Sequence, residues 1–241
     1  MATVTNQSTA QSTAKPRTAE KSSRSVLYVV VEIFLWVLLI SVALIEIAPI
    51  SWMISTSLRD PKNSFDLPPD FFPTAFHWQN YRAVITSPDI EFLRFFWNSV
   101  KIASIVTAAQ LLTCSMAGFA FGRLRFKGRD LLFGLFLASM MVPGTVTLIP
   151  SFILIRQLQL MDSHWALILP GITSAFGVFL LRQNFMSLPQ ELVDAAKIDG
   201  AGYFRIYWQI LLPLTGPALS ALGIFTFLAS WNNFLGPLLF L

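Results

Sequence analysis

Val26-Leu-Tyr-Val-Val-Val-Glu-Ile-Phe-Leu-Trp-Val-Leu-Leu-Ile-Ser-Val-Ala-Leu-Ile-Glu-Ile-Ala-Pro-Ile-Ser51 runs for 26 residues with two charges, Glu32 and Glu46. A bilayer core ~30 Å thick needs about 20 apolar residues as helix, so this stretch is long enough to cross. Four more segments reach the required length or approach it: Trp97–Phe121, Leu131–Ile155, Trp165–Leu181 and Pro217–Leu235. Composition agrees. Apolar residues make up 54% of the 241 and charged ones 12%, about half the soluble norm of ~25% charged. With 22 Phe and a mean hydropathy of +0.61, a soluble fold could not cover its own surface. Disorder and fibrous repeats are excluded by the same values. The expected fold class is all-α: a polytopic membrane helical bundle with five spans.

Orientation follows from the basic residues. Residues 1–25 are rich in Ser, Thr, Ala and Gln and carry Lys15, Arg17, Lys21 and Arg24. They read as a disordered cytoplasmic tail; the apolar run behind them is too long for a signal peptide's ~7–15-residue core. The loop Arg123-Leu-Arg-Phe-Lys-Gly-Arg129 carries four more basic residues. Two spans separate the loop from the tail, so both face the cytoplasm. The mixed-charge loop 55–96, with Pro68-Pro69, Phe71-Phe72-Pro73 and Trp78, then lies outside as an ordered cap. Segment 182–216 falls inside. The net charge of +4 is thereby a membrane-topology signal rather than one for nucleic acid.

Within the spans, a few groups stand out. Pro143-Gly144, Pro150 and Pro170-Gly171 break helices; such breaks are tolerated where neighbours or a water-lined cavity satisfy the freed backbone. They read either as proline kinks or as marks of a transport path. Cys114 is the lone cysteine, a packing residue with no disulfide or metal role. Gly118-Phe-Ala-Phe-Gly122 has small-xxx-small spacing for close helix packing. Glu46 and Lys101 fall at similar depth on antiparallel spans. They either pair or each snorkel to the headgroups, since an unpaired charge in lipid is costly. Asn98, Asn232 and Asn233 near the outer face are candidates to line a translocation path, or they cap helices. His77 and His164 lack partners at metal-ligand spacing, so no metal site is expected.

One cytoplasmic segment is too organised for a loop. Ser187-Leu-Pro-Gln-Glu-Leu-Val-Asp-Ala-Ala-Lys-Ile-Asp-Gly200 reads as a helix. Ser187 is its N-cap, Gln190 the capping-box partner, Pro189 lies in the first turn, and Gly200 takes φ > 0 to stop it. A second helix, Tyr203–Leu212, runs to Pro213. Small side chains at Ala195-Ala196 would let another protein approach closely. The same helix could instead lie on the membrane surface, where Tyr207 and Trp208 would suit the interface.

This segment resembles the "EAA" loop of ABC importer permeases, whose pattern is E-A-A, three residues, G, nine residues, I-x-L-P. Here Asp194-Ala195-Ala196 is followed by three residues and Gly200, and nine more lead to Ile210-Leu-Leu212-Pro213. Asp199-Gly200-Ala201 matches the loop's D-G-A core, and Asp194 stands in place of the family's Glu. Trp78-Gln-Asn80-Tyr81, Phe96-Trp-Asn98-Ser99 and Trp231-Asn232-Asn233-Phe234-Leu-Gly-Pro237 are similar to landmarks of the carbohydrate-importing, maltose-type branch.

The resemblance implies a type I ABC importer permease fold, normally of six spans, so the C-terminal span is expected to be missing here. The domain is expected over 26–241, with the coupling loop at 186–216. It implies a multi-pass protein of the prokaryotic cytoplasmic (inner) membrane, N-terminus cytoplasmic, that is not itself an enzyme. ATP and Mg would sit on a pair of separate ATP-binding cassette subunits, and this chain would bind no cofactor. Further partners would be a second permease, an extracytoplasmic solute-binding protein and a carbohydrate, with no nucleic acid. Glu191, Asp194, Ala195, Ala196, Asp199, Gly200, Ala201, Ile210 and Pro213 would carry coupling to the ATPase. An ATP-independent secondary transporter or channel is the alternative; it calls for inverted repeats and mid-membrane acidic groups, which the sequence does not display.

Overall fold

A computed structural model describes residues 26–61, 75–89 and 91–241. The expected tail (1–25) and the Pro68–Pro73 portion of the outer loop lie outside the described residues. The chain divides into two compact units, Met1–Thr86 and Ser87–Leu241. All regular structure among the described residues is helical.

In the first unit, α1 (Val26–Ser57) is one uninterrupted helix of 32 residues despite Pro49. It is longer than the expected span by one and a half turns. From Tyr28 to Ile50 its side chains stand exposed, Glu32 being half-buried, as befits a helix apolar all round that meets lipid or other protein. Its end is tied down by the short α2 (Gln79–Thr86) and the residues before it. The Asn80 amide donates to the carbonyls of Ser57 (3.0 Å) and Arg59 (2.7 Å), and the His77 N–H donates to Leu58 O at 2.9 Å. Ser57 and Tyr81 share a hydroxyl bond of 2.7 Å. These partners satisfy carbonyls that a helix C-terminus leaves without intrahelical bonds. Asn80 and Tyr81 of the Trp78–Tyr81 landmark thus have a structural task.

The second unit is built around α3 (Phe92–Arg123), along which α7 (Ala175–Ser187) and α11 (Gly216–Trp231) pack. Gly118 and Gly122 make the α3–α7 approach possible. A Cβ on Gly118 would lie 3.0 Å from both Arg182 N and Leu181 Cβ, and one on Gly122 3.4 Å from Arg182 O. The spacing read as small-xxx-small is therefore a packing face. A buried cluster including Phe119, Phe133, Leu181, Phe185, Ile206 and Leu211 fills the end of the unit below these glycines.

Three breaks shape the rest. The expected third span is two helices, α4 (Arg129–Ala138, continued by a 3₁₀ turn to Met141) and α5 (Gly144–Gln157), which meet at 101° across Pro143. The bend is a corner, far beyond a proline kink, because Val142 and Pro143 are both extended. Pro150, by contrast, sits inside α5. The fourth span is α6 (His164–Gly171) followed by α7, with residues 172–174 unwound between them. The fifth begins after a 79° turn at Thr215 and ends at Trp231, before a last short helix, α12 (Leu235–Phe240). Among the described residues, three helical stretches are long and apolar enough to cross a membrane, or up to five if each bent pair counts as one.

Side chains of α3 repair the unwound α6–α7 joint. The Thr113 hydroxyl donates to the Ile172 carbonyl, and the Ser174 N–H donates to Cys114 Sγ at 3.4 Å. Cys114 is wholly buried, so the lone cysteine packs as expected and also serves the broken backbone.

Candidate functional site

The expected cytoplasmic helix is α8 (Gln190–Ile198). It starts differently from the sequence reading. Ser187 is the last residue of α7, and its hydroxyl bonds back to Asn184 O at 2.8 Å. Leu188 and Pro189 are extended, so Pro189 precedes the helix and no side-chain cap forms. Gln190 reaches forward to Asp194 (3.1 Å) instead of back. The N-terminus is held from outside: Arg123, at the end of α3, donates to Gln190 Oε1 (2.7 Å) and to the Leu188 carbonyl. Arg123, a basic residue of the cytoplasmic loop by sequence, thus also anchors α8 to α3.

The helix ends as its glycine requires. Gly200 has φ +77; its N–H bonds Lys197 O (3.0 Å) and the Ala201 N–H bonds Ala196 O (2.9 Å). This 5→2 and 6→1 pair is a Schellman cap.

The two alanines do different things. Val193 and Ala196 are buried on the core cluster, with Ala201 and Ile210 packed against it. Glu191, Asp194, Ala195 and Ile198 are exposed at i, i+3, i+4 and i+7, one face of the helix. Close approach to another surface therefore rests on Ala195. Ile198, 88% exposed, is the apolar member of that face and was not singled out by sequence, although its spacing was visible. Asp199 and Pro213 are also exposed.

Behind α8 the chain runs through Tyr203–Leu214: α9 (Tyr203–Arg205), a π-helical turn (Ile206–Leu211) and α10 (Leu212–Leu214). Tyr207 does not lie at an interface. It is buried in the π-turn, its hydroxyl 2.8 Å from Ser115 Oγ of α3 and its ring 5.4 Å from Phe119. Trp208 is exposed and stacks on Phe204. The seat of α8 is thereby continuous with α3 and with the start of α11.

At the other end of the unit, a cavity of about 520 Å³ opens between α3, the α6–α7 joint and α11. Its polar lining includes Gln110, Thr173, Thr226, Ser230 and Asn233. Of the three candidate path asparagines, Asn233 lines it, while Asn98 and Asn232 do not. The Asn232 amide donates to Leu228 O (2.9 Å) and Asn233 Oδ1 accepts from the Gly236 N–H (3.0 Å), so both also cap helices. Phe96 and Trp231, from two separated landmarks, meet edge to face at 5.8 Å. Glu46 and Lys101 are exposed on α1 and α3, in different units.

Residues 114–241 match the family described as binding-protein-dependent transport system inner membrane component. The arabinooligosaccharides transport system permease protein AraQ of Halalkalibacterium halodurans is 38% identical over 213 residues, 86% of this chain and 75% of that one. The sn-glycerol-3-phosphate transport system permease protein UgpE of Yersinia enterocolitica is 34% identical over 212 residues, with the same coverage. In solved structures, a chain of a bacterial ABC transporter involved in import of the acidic polysaccharide alginate superposes with a TM-score of 0.81 at 24% identity, covering 90% of this chain and 76% of that one. With this agreement of sequence and helical fold, the chain belongs to the binding-protein-dependent transport permeases of the inner membrane.

Proposed function

We propose that the chain is one membrane-spanning half of an ATP-driven importer, passing a carbohydrate delivered by a solute-binding protein. It works beside a second permease and is driven by a separate pair of ATP-binding subunits that hold ATP and Mg. The N-terminus and the 123–129 loop face the cytoplasm, and α8 docks on one ATPase.

The observation that carries this reading is the two-sided build of α8. One face is rooted in the core through Val193 and Ala196, and the opposite face offers Glu191, Asp194, Ala195 and Ile198 outward. A helix lying on lipid would turn its apolar face to the acyl chains, whereas Val193 and Ala196 are turned into the protein core. Movement imposed on the outer face passes through Tyr203–Leu214 toward α11 and the cavity. An equilibrium shifts only if α8 fits the two nucleotide states of the ATPase unequally.

In the reconstituted importer, ATP hydrolysis stimulated by the loaded binding protein requires this chain, and a cysteine replacing Glu191 crosslinks to the ATPase. A crosslink to lipid probes alone overturns the docking. Asp194→Lys and Gly200→Pro abolish uptake while the subunit still reaches the membrane, because proline holds φ near −65° where +77 is required. Parental uptake by both variants removes the coupling role.

A further inference from the structure

The cavity beside the α6–α7 joint says something about the cargo. Gln110 is 8% exposed, lines the cavity, and its carboxamide has no hydrogen-bond partner among the described residues. It lies about 20 Å along α3 from Arg123 at 1.5 Å per residue, well inside the membrane. Its amide atoms open onto the cavity, where they present a donor and an acceptor to whatever enters. Thr226, 7% exposed and also without a side-chain partner among the described residues, faces the same space from α11. Ser230 and Asn233 continue the polar strip, while Phe176 and Phe225, 6.4 Å apart and edge to face, form an apolar wall.

Hydroxyl-lined edges and C–H faces are the two surfaces of a sugar ring. A carboxamide offers both a donor and an acceptor to the first, and aromatic rings receive the second. The volume lies within the roughly 300–1,000 Å³ of small-molecule sites. Among the described residues, no Lys, Arg or His lines the cavity. The N-terminus of α7 points its positive end at it, and there the Ser174 hydroxyl already accepts the Gly177 N–H at 3.0 Å. A phosphate or carboxylate would enter without a counter-charge, at a heavy desolvation cost.

We infer that this cavity is a solute-contact site for a neutral, hydroxyl-rich sugar unit, with Gln110 as its central hydrogen-bonding group, and that anionic sugars are disfavoured in it. The inference rests on the import reading above and narrows its substrate class. The test uses the complete importer in proteoliposomes. With Ser230→Cys, a small water-soluble maleimide labels the cavity, Cys114 being buried and silent. Arabinotriose or maltotriose, whichever the wild-type importer takes up, slows labelling about fivefold or more, and glycerol 3-phosphate does not. Gln110→Leu, present in the membrane at normal level, lowers uptake of that sugar roughly tenfold, the worth of one hydrogen bond, with Gln110→Asn falling between.

ATP-driven uptake of a neutral sugar without protection, or without loss in Gln110→Leu, overturns the site and leaves the import function standing. Preferential uptake of glycerol 3-phosphate, or protection by it, overturns the neutral selectivity. Absence of ATP-driven uptake for every sugar tried would instead strike at the import reading itself.

Discussion

The two ends of the Ser87–Leu241 unit are built on opposite rules. Around α8 the chain is tied at both ends: Arg123 holds the Leu188 carbonyl just before the helix, and the Gly200 cap closes its C-terminus. The core beneath is aromatic and tightly packed, with Phe119, Phe185 and Tyr207 in mutual contact. Around Gln110, polar groups face open space and the helix beside them is unwound. A rigid end transmits displacement without absorbing it, whereas an open end can exchange partners as a solute arrives and leaves. The contrast teaches that closeness of packing, more than residue type, separates the part that is pushed from the part that yields.

The contrast can be broken hardest where α3 and α7 touch. Gly118→Leu drives a side chain into Arg182 backbone at 3.0 Å and costs about 3 kcal/mol. Loss of assembled complex, read by thermal stability in detergent, is expected; an unchanged melting temperature means the two helices can part freely. Next comes the Arg123 tie. Arg123→Gln removes charge-assisted bonds worth about 2 kcal/mol and loosens α8 without emptying the core. Stimulated ATPase should then outrun uptake, whereas an unchanged ratio of the two makes Arg123 dispensable. The smallest effect is Tyr207→Phe, about 1 kcal/mol. A double-mutant cycle with Ser115→Ala should return a coupling of the same order, and zero coupling denies the hydroxyl pair any share in the rigid end.

Much of this was legible in the sequence. Apolar length marked the spans, and Gly200 announced its left-handed turn because few other residues tolerate one. The Gly118/Gly122 spacing likewise marked a packing face. Other features were hidden for physical reasons. Ser187 suits a helix start and a helix end equally well, since its hydroxyl can bond forward or back. Pro143-Gly144 declared a break but not its angle, which depends on what the two arms pack against. Asparagines at the helix ends drew attention because exposed polar groups in a membrane chain are conspicuous. Gln110 did not, because an amide in mid-helix gains its meaning only when α6, α7 and α11 leave a space before it. The role of Ala196 was similarly undecidable until Val193 showed which face turns inward.

The corner between α4 and α5 bears on how the protein is made. Each arm, about 20 Å long at 1.5 Å per residue, falls short of the hydrocarbon thickness. Insertion machinery that reads apolar length would accept the two only as one continuous stretch, and the right angle must form afterward. Amides bared at the bend then need covering by other helices before they meet acyl chains.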